Sequence, residues 1–122
     1  MTDYSADCLI IGAGPAGLGA ALYAARDRFK TIILEKFYPG GQILTTDRIE
    51  NYPGYVNISG PDLVLKMVEQ VQSFGAEIKS GQEAVHLQRR PDGLIEVRTS
   101  RDTYWSKVVI LAPGSSYRKL GV

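Results

Sequence analysis

An apolar run, Cys8-Leu9-Ile10-Ile11, breaks into the glycine-rich turn Gly12-Ala13-Gly14-Pro15-Ala16-Gly17, and an alanine-rich segment follows at once. About 20 residues later a second apolar run, Ile32-Ile33-Leu34, ends in the carboxylate of Glu35. Strand, G-x-G-x-x-G turn, helix, strand and acid in this order constrain the chain to a βαβ unit with a right-handed crossover. The same order is the fingerprint of a site that grips the adenosine end of a dinucleotide.

Each residue of the turn has a physical role. Gly12 lets the chain leave the strand sharply. Gly14 has no side chain to keep a pyrophosphate from the backbone, and Gly17 allows the helix to pack close to the strands. Unpaired N–H groups at the helix N-terminus favour an anion. Pro15 falls in the first helical turn, where a missing N–H costs nothing. Glu35 can accept hydrogen bonds from both ribose hydroxyls and would repel a 2′-phosphate, so the fingerprint favours FAD or NAD over NADP.

The chain has 122 residues, one domain's worth, and 44% are hydrophobic, enough for a core. With 14 basic and 13 acidic residues, nothing points to nucleic acid or to a membrane surface. Arg89-Arg90 and Arg118-Lys119 read as solvated pairs. No apolar run reaches the length of a membrane span, and the acidic start Met1-Thr2-Asp3-Tyr4 is no secretory signal. A cytoplasmic protein is expected. Cys8 is the one cysteine, so neither a Cys-x-x-Cys pair nor a zinc cluster is available. Its place in an apolar strand predicts a buried, inert thiol.

The expected elements are strands Asp7–Ile11 and Thr31–Glu35 around a helix from Ala16 to Arg26. Turns follow at Tyr38-Pro39-Gly40-Gly41-Gln42 and Asn51-Tyr52-Pro53-Gly54, with an irregular segment between them. Ser59-Gly60-Pro61-Asp62 opens a second helix. There Val64, Met67, Val68, Val71 and Phe74 repeat at helical spacing, which predicts Met67 and Phe74 in the core. Ala76–Lys79 reads as a third parallel strand. The period then changes to two over Ala84–Gln88, Leu94–Arg98 and Thr103–Trp105, a three-stranded antiparallel meander. Val108–Ala112 is expected as a separate last strand, stopped by Pro113-Gly114. The fold class is therefore α/β, a Rossmann-like FAD-binding fold with a parallel sheet plus a β-meander within residues 83–106.

Gly12 to Leu18 with Glu35 resembles the FAD-binding start of the flavoprotein reductases built from two dinucleotide domains. Gly40-Gly41-Gln42-Ile43, then Thr45-Thr46 and Ile49-Glu50-Asn51-Tyr52-Pro53-Gly54, narrows the resemblance to the low-molecular-weight thioredoxin reductases. It extends over essentially the whole chain. The resemblance implies FAD as cofactor. Gly12, Ala13, Gly14, Pro15 and Ala16, with Gly17 behind them, would line the pyrophosphate. Glu35 would hold the adenosine ribose, with Lys36 beside it. Gly41, Gln42, Ile43, Thr46 and Asn51 would approach the ribityl chain and isoalloxazine. Val85 would meet the adenine region through its backbone, and Ala112 and Gly114 would close over the cofactor.

The family usually has Ala-Thr-Gly where this chain has Ala112-Pro113-Gly114, and proline removes a donor and a hydroxyl there. On this resemblance the chain corresponds to the N-terminal segment of the FAD domain, an incomplete domain by itself. An NADPH domain carrying a redox Cys-x-x-Cys, and the C-terminal part of the FAD domain, are expected beyond it. The implied activity is NADPH-dependent reduction of thioredoxin or a similar small redox protein, and a homodimer is compatible with it. Two alternatives stay open: a related ferredoxin or flavodoxin NADP reductase without the dithiol, and a non-catalytic dinucleotide-binding module. No residue reads as catalytic and none as a metal ligand. His86 reads as a strand residue, and Glu77 and Glu83 lack paired-carboxylate spacing.

Overall fold

The structure is a computed structural model and describes residues 2–114; the Arg118-Lys119 pair lies outside the described residues. Strand β1 (Thr2–Ile11) leads into helix α1 (Pro15–Arg26) and strand β2 (Thr31–Glu35). A 3-10 turn (Gly41–Thr45) precedes helix α2 (Gly60–Ser73). Strands β3 (Glu77–Ser80), β4 (Ala84–Arg89), β5 (Ile95–Thr99) and β6 (Asp102–Leu111) follow. Among the described residues these six strands form one sheet in the order β3-β2-β1-β6-β5-β4. The β3, β2, β1 and β6 ladders are parallel, while β4-β5-β6 is the antiparallel meander.

The expected separate strands Thr103–Trp105 and Val108–Ala112 are one strand, β6. Its first half pairs with β5, and it pairs with β1 along its whole length. Ser106 and Lys107 look like a polar break in sequence. Ser106 is instead fully buried, with its Oγ donating to the Val108 carbonyl at 2.7 Å. Strand β1 likewise begins at Thr2, not Asp7, because its polar first half pairs with the part of β6 that belongs to the meander.

The sheet bends back on itself. Gln82 donates its backbone N–H to the Glu35 carbonyl (2.9 Å), at the carboxyl end of β2. Its side-chain amide donates to Asp102 Oδ2 (3.0 Å), at the amino end of β6. Those levels are separated by the length of β1, about 33 Å in a straight strand. Lys79 of β3 reaches the ring of Tyr4 at 3.9 Å for the same reason. The alternation of faces slips at Asp7: Tyr4 and Ala6 join Leu9 and Ile11 in one cluster, while Cys8 and Ile10 join the other.

Two apolar layers result. Cys8, Ile10 and Ile33 pack under Leu18 and Ala21 of α1 and Val71 of α2. Leu9, Ile32 and Leu34 meet Val97 and Tyr104 of the folded-over meander. Tyr104 stacks on Tyr4 with centroids 5.2 Å apart, and burial pushes the pKa of its hydroxyl up to about 12. Met67 packs at the edge of the helix layer, as its spacing predicts. Phe74 does not: it is 46% exposed. It occupies the C-cap of α2, past the last helical residue, so it leaves the stripe that Val71 follows.

Helix α2 is capped by Ser59, whose Oγ accepts from the Asp62 N–H at 3.2 Å. Gly60 sets its approach to the 3-10 turn, since a Cβ there would lie 1.6 Å from the Ile43 carbonyl oxygen. Gly60→Ala should therefore destabilise the fold by about 1–3 kcal/mol, read as a lowered thermal midpoint.

On the meander, the buried carboxylate of Glu96 accepts from Arg98 Nε at 3.0 Å and pairs with Arg90 at 3.7 Å. The Arg98 hydrogen bond, aided by the charges of Arg98, Arg90 and His86, holds its pKa below the ordinary glutamate value against the opposing effect of burial. A lowered folded pKa gives stability that is present above the unfolded value and lost as pH falls through the folded one. Glu96→Gln should flatten the acid limb of a stability–pH profile in that window. An unchanged profile would remove Glu96 from the acid response.

Candidate functional site

The C-terminal ends of β1, β2 and β6 open onto a cleft of about 820 Å³. Backbone contacts build its floor. The Gly12 N–H donates to the Leu34 carbonyl at 2.8 Å, and the Ala112 N–H donates to the Ile11 carbonyl at 2.8 Å. Gly12 has φ +107°, and a Cβ on it would stand 1.9 Å from the Ala112 oxygen. A Cβ on Gly17 would stand 1.8 Å from the Gly12 oxygen. Both glycines are thus required by close backbone packing. A Cβ on Gly14, by contrast, meets nothing within 4 Å, and Gly14 lines the cleft.

The second glycine motif docks on the first. The Gly40 N–H donates to the Ala13 carbonyl at 2.7 Å, and a Cβ on Gly41 would lie 3.6 Å from Gly14 Cα. Gly41, Gln42 and Ile43 thereby form a wall of the same cleft as Gly12, Gly14 and Pro15.

Glu35 joins these parts. Its Oε1 accepts from the Ala13 N–H at 3.0 Å and its Oε2 from the Phe37 N–H at 2.8 Å. The carboxylate clamps the glycine loop to the end of β2, a role that the sequence fingerprint does not contain. An ionised carboxylate has about four acceptor positions, so the two backbone donors leave capacity for hydroxyls. Helix α1 has Gly14 at its N-cap, with no side-chain cap and no acid in its first turn. Its N-terminus therefore presents partial positive charge beside the cleft.

The remaining expected site residues fall in several places. Lys36, Ala112 and Gly114 line the cleft, and so does Pro113. Thr46 and Asn51 line a smaller adjoining cavity of about 280 Å³, which shares Pro15 and Ile43 with the cleft. Ala13 is buried, and Ala16 is exposed on the first turn of α1. Val85 does not line the cleft and is 66% exposed; its neighbours Gln82, Glu83 and Ala84 supply that wall.

Gln82 is a second residue whose part sequence reasoning misses. It is buried, and its Oε1 accepts from Thr99 Oγ1 at 2.6 Å while its backbone and amide donors hold Glu35 and Asp102. A lone glutamine in a loop gives no periodic signal. Cys8 is buried away from the cleft in the helix layer, and burial, then the Asp7 charge, pushes its thiol pKa up. Among the described residues, no cluster of His, Cys, Asp and Glu could hold a metal ion. No helix among them is long and apolar enough to cross a membrane.

The sequence profile of the pyridine nucleotide-disulphide oxidoreductases matches residues 6–122. The chain belongs to that family. It is 40% identical over 116 residues to the thioredoxin reductase of Bacillus subtilis strain 168, covering 95% of this chain and 36% of that protein. The crystal structure of Lactococcus lactis thioredoxin reductase in its FR conformation superposes with a TM-score of 0.91 at 40% identity, over 96% of this chain and 38% of that one. The thioredoxin reductase structure from Streptococcus pyogenes MGAS5005 gives 0.90 at 45% identity, over 97% and 38%. The chain thus spans a little over a third of the length of these relatives.

The two kinds of glycine separate by experiment. Gly14→Val should leave the circular dichroism near that of the parent and lower the thermal midpoint only by the loss of a glycine N-cap, because its Cβ enters open space. Gly17→Ala should lower the midpoint, since its methyl displaces the Gly12 backbone, at a cost of about 1–3 kcal/mol. A Gly14→Val protein that unfolds would show that this glycine serves the fold.

Proposed function

We propose that this chain is the FAD-binding part of an NADPH-dependent disulphide reductase whose acceptor is thioredoxin or a similar small redox protein. The docking of the Gly40–Ile43 wall onto the Gly12–Gly17 loop carries the reading, because it joins both motifs in one cleft. The residues present fit the cofactor. Gly14 leaves room for a pyrophosphate at the start of α1, Glu35 retains acceptor capacity for ribose, and the cavity of Thr46 and Asn51 continues the cleft past Ile43.

When bound, FAD supplies the redox chemistry. The chain's own residues bind and orient. Gly12 and Gly14 with the N-terminus of α1 would hold the pyrophosphate, and Glu35 the adenosine ribose. Gly41, Gln42 and Ile43, with Thr46 and Asn51, would face the ribityl and ring end. Lys36 and the backbone of Ala112 and Gly114 would close the rim. Pro113 lines the cleft but brings no N–H. We assign the NADPH site, the redox dithiol and the rest of the FAD domain to the remaining part of such a reductase. A cytoplasmic location and a homodimer fit the same reading.

Glu35→Ala removes a charge-assisted acceptor worth roughly 1.5–3 kcal/mol, so it should weaken FAD binding about ten- to a hundredfold in a fluorescence titration. Unchanged affinity would take Glu35 out of the site. The 122-residue polypeptide should not sustain NADPH-dependent disulphide reduction with added FAD, since its one cysteine is buried. Turnover that survives Cys8→Ser would overturn the assignment of the dithiol to another part of the protein.

A further inference from the structure

Strand β4 ends the sheet, and its outer side has no strand neighbour among the described residues. The other edge, β3, has four residues and carries Glu77 and Lys79. Short, charged edges resist further pairing. Strand β4 has six residues, and all of them from Val85 to Arg89 are exposed. Its irregularity lies at the start, between Ala84 and His86. From His86 to Arg89 it pairs residue for residue with Arg98 to Ile95 of β5. The Arg90 N–H donates to the Leu94 carbonyl at 2.8 Å. Antiparallel pairs alternate, so Gln88 and His86 also turn their backbone groups to β5, and Leu87 and Arg89 turn theirs outward.

The two faces of this edge differ. Leu87 pairs with the buried Val97 and carries the inner apolar layer to the edge, where it is 47% exposed. Val85, two residues earlier, is 66% exposed. The opposite face is basic. Arg90 and Arg98 flank Glu96 there, and Arg90 also lies 5.6 Å from the Trp105 ring centroid. His86 pairs with Arg98 in the ladder. Glu96 is the one acid of β4 and β5, and it is buried and already held by both arginines.

We propose that the outer edge of β4 takes an extended acidic segment of a partner protein by strand addition. Leu87 and Arg89 offer two N–H and two C=O groups for the backbone ladder, and alternate side chains select the sequence. Acids on one face of the added strand would meet Arg90 and His86, and apolar residues on the other would cover Val85 and Leu87. A second copy of β4 is the wrong occupant, because it would set Arg89, Arg90 and His86 against like charges. Nucleic acid is also the poorer fit, since the chain has a net charge of +1 and no wide basic stripe. Of β4 only Ala84 lines the cofactor cleft, so this edge is independent of the cofactor reading.

The test is a nuclear magnetic resonance titration of the 122-residue chain with a short capped peptide of alternating glutamate and valine, at up to millimolar concentration. The Leu87 and Arg89 amides should shift, and at saturation their hydrogen exchange should slow about tenfold. The lysine–valine peptide should bind about tenfold more weakly, and a glutamate–valine peptide N-methylated at alternate residues should not bind. Arg90→Gln, which leaves Arg98 to pair Glu96, should weaken the acidic peptide about three- to tenfold. No binding, equal binding of the glutamate and lysine peptides, or binding of the N-methylated peptide would overturn strand addition at this edge. So would shifts at Arg90 and Arg98 with Leu87 and Arg89 silent, or unchanged affinity in Arg90→Gln. Inorganic polyphosphate that reproduces the peptide's shifts and exchange protection would mark a general anion surface and overturn it too.

Discussion

Three backbone segments meet at Gly12 without a side chain between them. The Ala112 carbonyl presses on one side and Gly17 on the other, each at a distance where a Cβ could not stand. This contact brings the end of β6 and the start of α1 against the end of β1. The other walls of the cleft are placed relative to it. Gly40 hydrogen-bonds to Ala13, the next residue, and Gly41 then approaches Gly14. A larger residue at position 12 would face both a backbone clash and a left-handed conformation costly to L side chains. The cleft is thus a consequence of close strand–helix packing, and its floor does not depend on flexible side chains.

Glu35 converts that packing into a defined electrostatic site. Burying part of a carboxylate is costly unless donors compensate it, and here two backbone N–H groups do so. The same two bonds fix the glycine loop and Phe37 on the rim of the cleft. Gln82 extends the arrangement by tying the Glu35 carbonyl to the meander through Asp102 and Thr99. The bend in the sheet is therefore coupled to the site: the meander that folds over β2 is the one that delivers Glu83 and Ala84 to the cleft.

The βαβ unit was legible because its signals are local. Apolar runs of strand length, a glycine turn and an acid all fall within Cys8–Glu35, and the structure places them as expected. The second helix was legible from Ser59, Pro61 and Asp62. What the sequence hid is non-local. Ser106 and Lys107 resemble a break because period-two reasoning assigns one face to each strand, whereas Tyr104 and Ile110 of β6 contribute to opposite layers. Phe74 keeps helical spacing but falls on a cap. Gln82 and the Glu35 bond to Ala13 depend on partners far along the chain, so no short window of residues could disclose them. In the site, the glycines and Glu35 were readable from the fingerprint. Val85 was expected to meet the cofactor through its backbone, and its neighbours Gln82, Glu83 and Ala84 line the cleft instead.

The two helix N-termini differ in how their first turns are satisfied. Helix α2 satisfies its own first turn through Ser59 and places Asp62 where the helix dipole favours an acid. Its start packs against the 3-10 turn and contributes to structure. Helix α1 has neither device, and a proline takes the position where no donor is needed. A serine or aspartate cap at position 14 would stabilise an isolated helix by about a few tenths of a kcal/mol. It would also fill the space that Gly14 leaves beside the cleft and place a competing acceptor, or a negative charge, where the proposed function puts phosphate oxygens. The glycine cap is the weaker choice for the helix alone, and it is the choice that keeps the helix dipole available to an anion.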